Sequence, residues 1–143
     1  MTRYLVDTSA IIQVFVSEPH TANARAMVSG LSDGDELILP EFCLLECVNV
    51  LWKHVRFHGI SESEAETLVA ELEALNVVIA PITGLLSRAL TIGLKHRLAI
   101  YDSVYIALAE QLDYPLVTDD IKQAAAAQAE GIALKPLTDF TPA

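Results

Sequence analysis

LVDTSA, residues 5–10, sets two apolar residues of β type ahead of an acid, then Thr8, Ser9 and Ala10, which suit the start of a helix. A strand that turns into a helix through Asp7 is the first half of a βα unit. The same order returns in LVTDD (116–120), where Leu116 and Val117 precede Asp119 and Asp120. Acids also stand in LLECVNVL (44–51) as Glu46 and in YDSVYIALA (101–109) as Asp102. If the strands lie parallel in one sheet, Asp7, Glu46, Asp102 and Asp120 converge at its carboxyl edge, where open α/β folds keep their sites.

The rest of the chain supports that alternation. Apolar runs of β type fall at residues 4–6, 37–39, 77–80 and 116–117, and residues 132–134 offer a fifth. Helical patterns fill the intervals at 9–16, 21–29, 41–57, 61–75, 83–96, 103–112 and 121–130. Strands alternating with helices imply a parallel sheet with both faces covered. Ser61 followed by Glu64 makes a capping-box pattern, Pro40 suits a first turn, and Gly59 and Gly131 suit helix stops. Residues 61–75 carry five glutamates beside an apolar stripe, an amphipathic helix with an acidic outer face.

With 143 residues the chain is read as a single domain, 1–143, long enough to bury roughly 70% of its unfolded surface. Hydrophobic residues make up 52% of it and charged ones 20%, which excludes a disordered chain, while the spread of charges excludes a long apolar span. MTRYLVD lacks a signal-peptide pattern, so a cytoplasmic address without a membrane partner is expected. Cys43 and Cys47, four apart on one helix, read as buried thiols of a reducing compartment, and His54 adds too few ligands for a zinc site. The net charge of −10, from 9 basic and 19 acidic residues, argues against non-specific binding to nucleic acid. A polyanionic substrate must therefore be received locally, by the stretches holding Lys53 and Arg56 and holding Lys95 and Arg97.

Each acid has a plain alternative. Asp7 could simply cap the next helix, although Thr8 and Ser9 already offer more caps than one helix end needs. Asp102 and the Asp119–Asp120 pair could likewise serve helix starts. Glu46 resists that account: it sits among Phe42, Cys43, Leu44, Leu45, Cys47, Val48 and Leu51, where a lone carboxylate costs several kcal/mol unless paired. Asn49 lies on the same helix face and is placed to orient it. Carboxylates about 6 Å apart repel by roughly 3 kcal/mol per pair at an effective dielectric near 20, so four together need a counter-charge. A hard cation such as Mg²⁺ or Mn²⁺ is the natural one.

These residues resemble the PIN-domain ribonucleases, and within them the VapC-like toxins of toxin–antitoxin pairs. The resemblance rests on VDTSA (6–10), PEFCLLECVNVLW (40–52), HRLAIYDSVYIALAEQL (96–112) and LVTDD (116–120), in the family's order and spacing. It implies a three-layer α/β/α sandwich with a central parallel sheet, often dimeric. It also implies metal-dependent hydrolysis of RNA with Asp7, Glu46, Asp102 and Asp120 as the acids, supported by Thr8, Ser9 and Thr118. Asp120 matches the acid of the family's T-x-D pattern, and Asp119 occupies its variable middle position. The same resemblance implies a cognate antitoxin, Mg²⁺ or Mn²⁺ as cofactor, and products with a 5′-phosphate and a 3′-hydroxyl. A PIN nuclease that processes RNA without being a toxin shares these acids, and a receiver-like regulatory module with an acidic metal pocket shares some of them.

Overall fold

A computed structural model describes residues 2–142. Strand β1 (Arg3–Val6) leads into a short helix α1 (Thr8–Ile11), which tightens into a 3-10 turn at Ile12–Val14 before α2 (Thr21–Ser29). Strand β2 (Glu36–Pro40) is followed by α3 (Glu41–Phe57) and α4 (Glu62–Ala74), and β3 (Val78–Ala80) by α5 (Leu86–His96) and α6 (Ile100–Leu112). Strand β4 (Leu116–Val117) and α7 (Ile121–Ala129) complete the regular elements.

The four strands form one parallel sheet in the order β3-β2-β1-β4. Leu5 pairs with Ile38 on one side and with Leu116 on the other. Leu37, Ile38 and Leu39 are all buried although successive strand residues point to opposite faces, so helices cover both faces and the architecture is the expected sandwich. The chain steps outward from β1 to β2 and β3, then returns across β1 to place β4 on its other side. That reversal makes β1/β4 the switch point of the sheet, the place where open α/β folds keep their sites. Leu5, Leu37, Leu39, Tyr105, Ile106 and Leu108 lie at the heart of the core, each apolar side chain contributing about 1.5–3 kcal/mol on burial.

Three elements differ from the sequence reading. The run at 132–134 makes one parallel bridge, Leu134 to Leu116, because the turn at Gly131 and the ring of Pro136 bound it on either side. The helix expected over 83–96 starts at Leu86, since Gly84 takes a left-handed turn (φ 85°) that no helix continues through. The helix expected over 103–112 starts at Ile100, where Ala99 C=O accepts both the backbone N–H and the hydroxyl of Ser103, each at 3.1 Å. Asp102 thus lies inside the first turn of α6 and does not precede it. Ser61 caps α4 by accepting from Glu64 N–H (3.0 Å), as its pattern predicts. Among the described residues no helix is long and apolar enough to cross a membrane.

Candidate active site

Asp7 leaves β1 in extended conformation and caps α1, accepting from Ala10 N–H at 3.1 Å. Ser9 Oγ donates to its Oδ1 (2.7 Å), and Thr118 Oγ1 donates to its Oδ2 in a short hydrogen bond from the far strand. The two hydroxyls also meet each other at 3.2 Å, and each accepts a backbone N–H from the turn after β4: Ser9 from Asp119 and Thr118 from Asp120. Ser9 and Thr118 therefore clasp the β1–α1 turn to the β4–α7 turn, with Asp7 between them. Burial pushes the Asp7 carboxyl up from an ordinary 3.8 to about 7, against the pull of Thr118, Ser9 and Ala10, and the nearby Asp120 charge adds to the rise.

Asp120 caps α7 through Gln123 N–H (3.0 Å). Its neighbour Asp119 faces away, with Oδ1 and Oδ2 each 3.0 Å from His20 Nδ1, and Oδ2 accepting from Gln13 Nε2 at 2.7 Å. The division between the two acids is thus settled locally: one residue both caps the helix and lies beside Asp7, while the other ties the turn to the loop before α2. Asp102, half-buried, has its carboxyl raised first by burial and then by the charges of Asp120 and Glu46, with Lys122 pulling it down. The charge of Asp120 thus reaches both Asp7 and Asp102, and that of Glu46 reaches Asp102.

Glu46 is anchored by residues other than the expected one. Its Oε1 accepts from Thr8 Oγ1 (2.7 Å) and from the Tyr105 hydroxyl (3.0 Å), which also lie 3.1 Å from each other. Asn49 is exposed and makes no hydrogen bond to Glu46 among the described residues. Thr8 Oγ1 also lies 3.4 Å from Cys43 Sγ, and both cysteines are buried free thiols. The Cys47 hydrogen bond draws the Cys43 thiol down, whereas that bond and burial push Cys47 up.

Tyr105, Gln13, His20 and Lys122 were missed as site residues. A tyrosine in the run SVYIALA was the one available signal, because a buried phenol seeks a partner. Of the expected cationic contacts, Lys53, Arg56 and Arg97 are exposed, but Lys95 Nζ lies 3.0 Å from Glu130, at the other end of α7 from Asp120. The larger clefts, of about 780 and 980 Å³, open beside α4 and not at the acids.

Residues 4–129 match the PIN domain family. The chain belongs to that family. It is similar to Ribonuclease VapC3 of Pyrobaculum aerophilum, 34% identical over 122 residues that cover 82% of this chain and 89% of the relative. Among solved structures it is similar in fold to PAE2754 from Pyrobaculum aerophilum, with a TM-score of 0.75 at 21% identity over 97% of this chain and 86% of that one. It is also similar to VapBC2 from Rickettsia felis, solved bound to a DNA fragment from their promoter, with a TM-score of 0.68 at 13% identity over 94% of this chain and 98% of that one. Divalent metal chemistry is the general habit of that family.

The donor set suits such a metal. Among the described residues no three His, Cys, Asp or Glu side chains form a ready cage. Yet the acids are hard oxygen donors, and the charge of Asp120 raises the proton affinity of Asp7 and, with that of Glu46, of Asp102, where Lys122 opposes it. A dication that keeps several of its waters needs only one or two carboxylates and would relieve that repulsion.

Proposed function

We propose that this PIN protein is a metal-dependent endoribonuclease, the toxin of a VapBC-type toxin–antitoxin pair, with residues 1–143 acting as one PIN-like unit. The observation that carries the reading is the buried Asp7, clasped by Ser9 and Thr118 at the switch point and made reluctant to ionise beside Asp120. The name of its Pyrobaculum relative, a ribonuclease VapC, supports RNA as the substrate.

Asp7, Asp102 and Asp120 would hold Mg²⁺ or Mn²⁺. When bound, the dication supplies an acidified water as nucleophile and positive charge beside the scissile phosphate. The chain's own residues do the rest. Thr8 and Tyr105 fix Glu46 by one oxygen, leaving Oε2 to orient the attacking water and accept its proton. Ser9 and Thr118 hold Asp7 in place, so the site needs little reorganisation when substrate arrives. Lys122, whose charge already acts on Asp102, offers the developing phosphate charge a cation at the rim. Water as nucleophile leaves a 5′-phosphate and a 3′-hydroxyl.

The partner would be a cognate antitoxin, whose basic segment suits a chain of net charge −10. A homodimer is supported by α5, where Leu86, Leu90 and Leu94 are exposed at every fourth position as an apolar stripe that a second copy would cover. Leu90→Glu should then yield a monomer in light scattering, and a dimer that persists removes this face.

Cleavage of a mixed RNA panel by purified partner-free protein tests the main reading. Cutting is expected with Mg²⁺ or Mn²⁺ but not with EDTA, and is lost in a folded Asp102→Asn variant. Ends with a 2′,3′-cyclic phosphate, or cutting that survives EDTA, would sink the mechanism.

A further inference from the structure

Helix α3 continues well beyond Glu46 and ends in an unusual surface. Trp52 and Phe57 are 55% and 65% exposed, although each forfeits hydrophobic stabilisation there. Their rings stand edge to face with centroids 6.4 Å apart. The Arg56 guanidinium lies 5.8 Å from the Trp52 ring and 5.5 Å from the Phe57 ring, so cation and rings form one cluster. Neither Arg56 nor Lys53 pairs with a carboxylate among the described residues, in a chain with 19 acidic and 9 basic residues.

The same helix joins that cluster to the acids. Glu46, Asn49, Lys53 and Phe57 follow helical spacing along one face of α3, and Trp52 and Arg56 flank it, lining with Val48, Leu51 and Val55 a cleft shared with α4. At the helical rise, Lys53 is about 10 Å and Phe57 about 16 Å along the axis from Glu46. That is the reach of a few nucleotides. Glu62 and Glu66 of α4 line the same cleft as Trp52 and Arg56, with no ion pair to Arg56 among the described residues.

We propose that this face of α3, from Glu46 through Asn49 and Lys53 to the Trp52–Arg56–Phe57 cluster, is a binding track for single-stranded RNA that stacks an unpaired base away from the bond that is cut. This rests on the ribonuclease reading above. Unpaired bases stack on aromatic rings and on guanidinium planes, while a lysine between cluster and acids meets a backbone phosphate. The track also accounts for how a strongly acidic protein receives a polyanion: along one helix face, with its cations unspent. Asn49, which does not orient Glu46, gains a role as a polar contact beside the scissile nucleotide.

The chain has a single tryptophan, so its emission reports on the track directly. An RNA oligonucleotide of about eight residues is titrated in EDTA, where it is not cut, into partner-free protein while anisotropy of a fluorescein on its end reports binding separately. Trp52 emission is expected to change with the same midpoint as the anisotropy. Phe57→Ala and Arg56→Met should each weaken binding about tenfold, and Lys53→Gln should lower the salt slope by just under one. In cleavage, Phe57→Ala should raise KM far more than it lowers kcat, and an unchanged thermal transition excludes misfolding.

Binding that leaves Trp52 emission unaltered, or a folded Phe57→Ala variant with wild-type affinity and KM, overturns the track while leaving the nuclease intact. Phe57→Ala that keeps RNA affinity but loses self-association or the antitoxin complex also overturns it, and marks the face as a protein interface. A wild-type protein that neither binds nor cuts any RNA removes the nuclease reading and the track with it.

Discussion

Helix α7 has an acid at each end, and the two are opposites. At its start Asp120 stands beside Asp7 and Asp102, and its charge raises the proton affinity of both with little cationic relief. Just past its end Glu130 accepts from His96 Nε2 (2.6 Å), lies 3.0 Å from Lys95 and accepts from Arg88 at 2.8 Å. The His96 hydrogen bond leads these in holding the Glu130 carboxyl down at about 2. One end spends three basic side chains on one acid and so welds α5 to α7; the other gathers four acids around an unmet need for positive charge. The contrast is one of charge: Glu130 is matched by cations of the chain, whereas Asp7, Glu46 and Asp120 are held by hydroxyl and backbone donors that bring none.

Substitution at the unsatisfied end should be the most damaging to activity. Asp7→Asn and Asp120→Asn should each lower RNA cleavage on the order of a hundredfold or more, measured by initial rates at saturating metal. Both should remain folded, and activity within tenfold of wild type in either would dissolve the distinction between the ends.

The pH dependence of stability should run in opposite directions. Because the folded carboxyl of Asp7 is raised from 3.8 to about 7, folded protein holds its proton longer than unfolded protein does. Its contribution therefore falls as pH rises from about 4 to 7, by a few kcal/mol in metal-free protein. Glu130, lowered from 4.5 to about 2, contributes stability above 4.5 that is lost as pH falls through 2. Denaturant titrations in EDTA should show Asp7→Asn gaining on wild type as pH rises to 7, and Mg²⁺ or Mn²⁺ should stabilise wild type more than the variant. Parallel pH curves for the two proteins would contradict this.

Glu130→Gln should cost about 2 kcal/mol, since its nearly buried carboxylate is lost while the exposed ends of Arg88 and Lys95 are screened by water. Cleavage per folded molecule should stay within about twofold of wild type, because the residue touches no part of the acid cluster. A larger drop would show that the weld tunes the site. The smallest loss of stability is expected for Tyr105→Phe, which removes one of two donors to Glu46. About a tenfold fall in kcat with about 1 kcal/mol of destabilisation is expected, from single-turnover rates and thermal melts.

The sequence was most legible where local chemistry was sufficient. Asp7 and Asp120 were found because strand, acid and helix start follow one another within a few residues, and Glu46 because an acid inside an apolar helix has to be explained. The partners of Glu46 were not legible: Thr8 and Tyr105 are 38 and 59 residues away, and Tyr105 reads as one more apolar residue of α6. Lys95 misled for the same reason, since its acid sits 35 residues further along the chain and only the fold brings them together. Helix starts were misplaced where no capping side chain marks them, as at Ala99, or where a left-handed glycine delays them, as at Gly84.

The clasp of Ser9 and Thr118 joins hydroxyls 109 residues apart, just past the ends of the first and last strands of the chain. Thr118 is also the residue that reaches Asp7 from across that gap. Synthesis of the chain therefore supplies one jaw of the site near the beginning and the other near the end. A chain that stops before β4 keeps Asp7 but lacks the opposing wall, so such a fragment carries no assembled clasp.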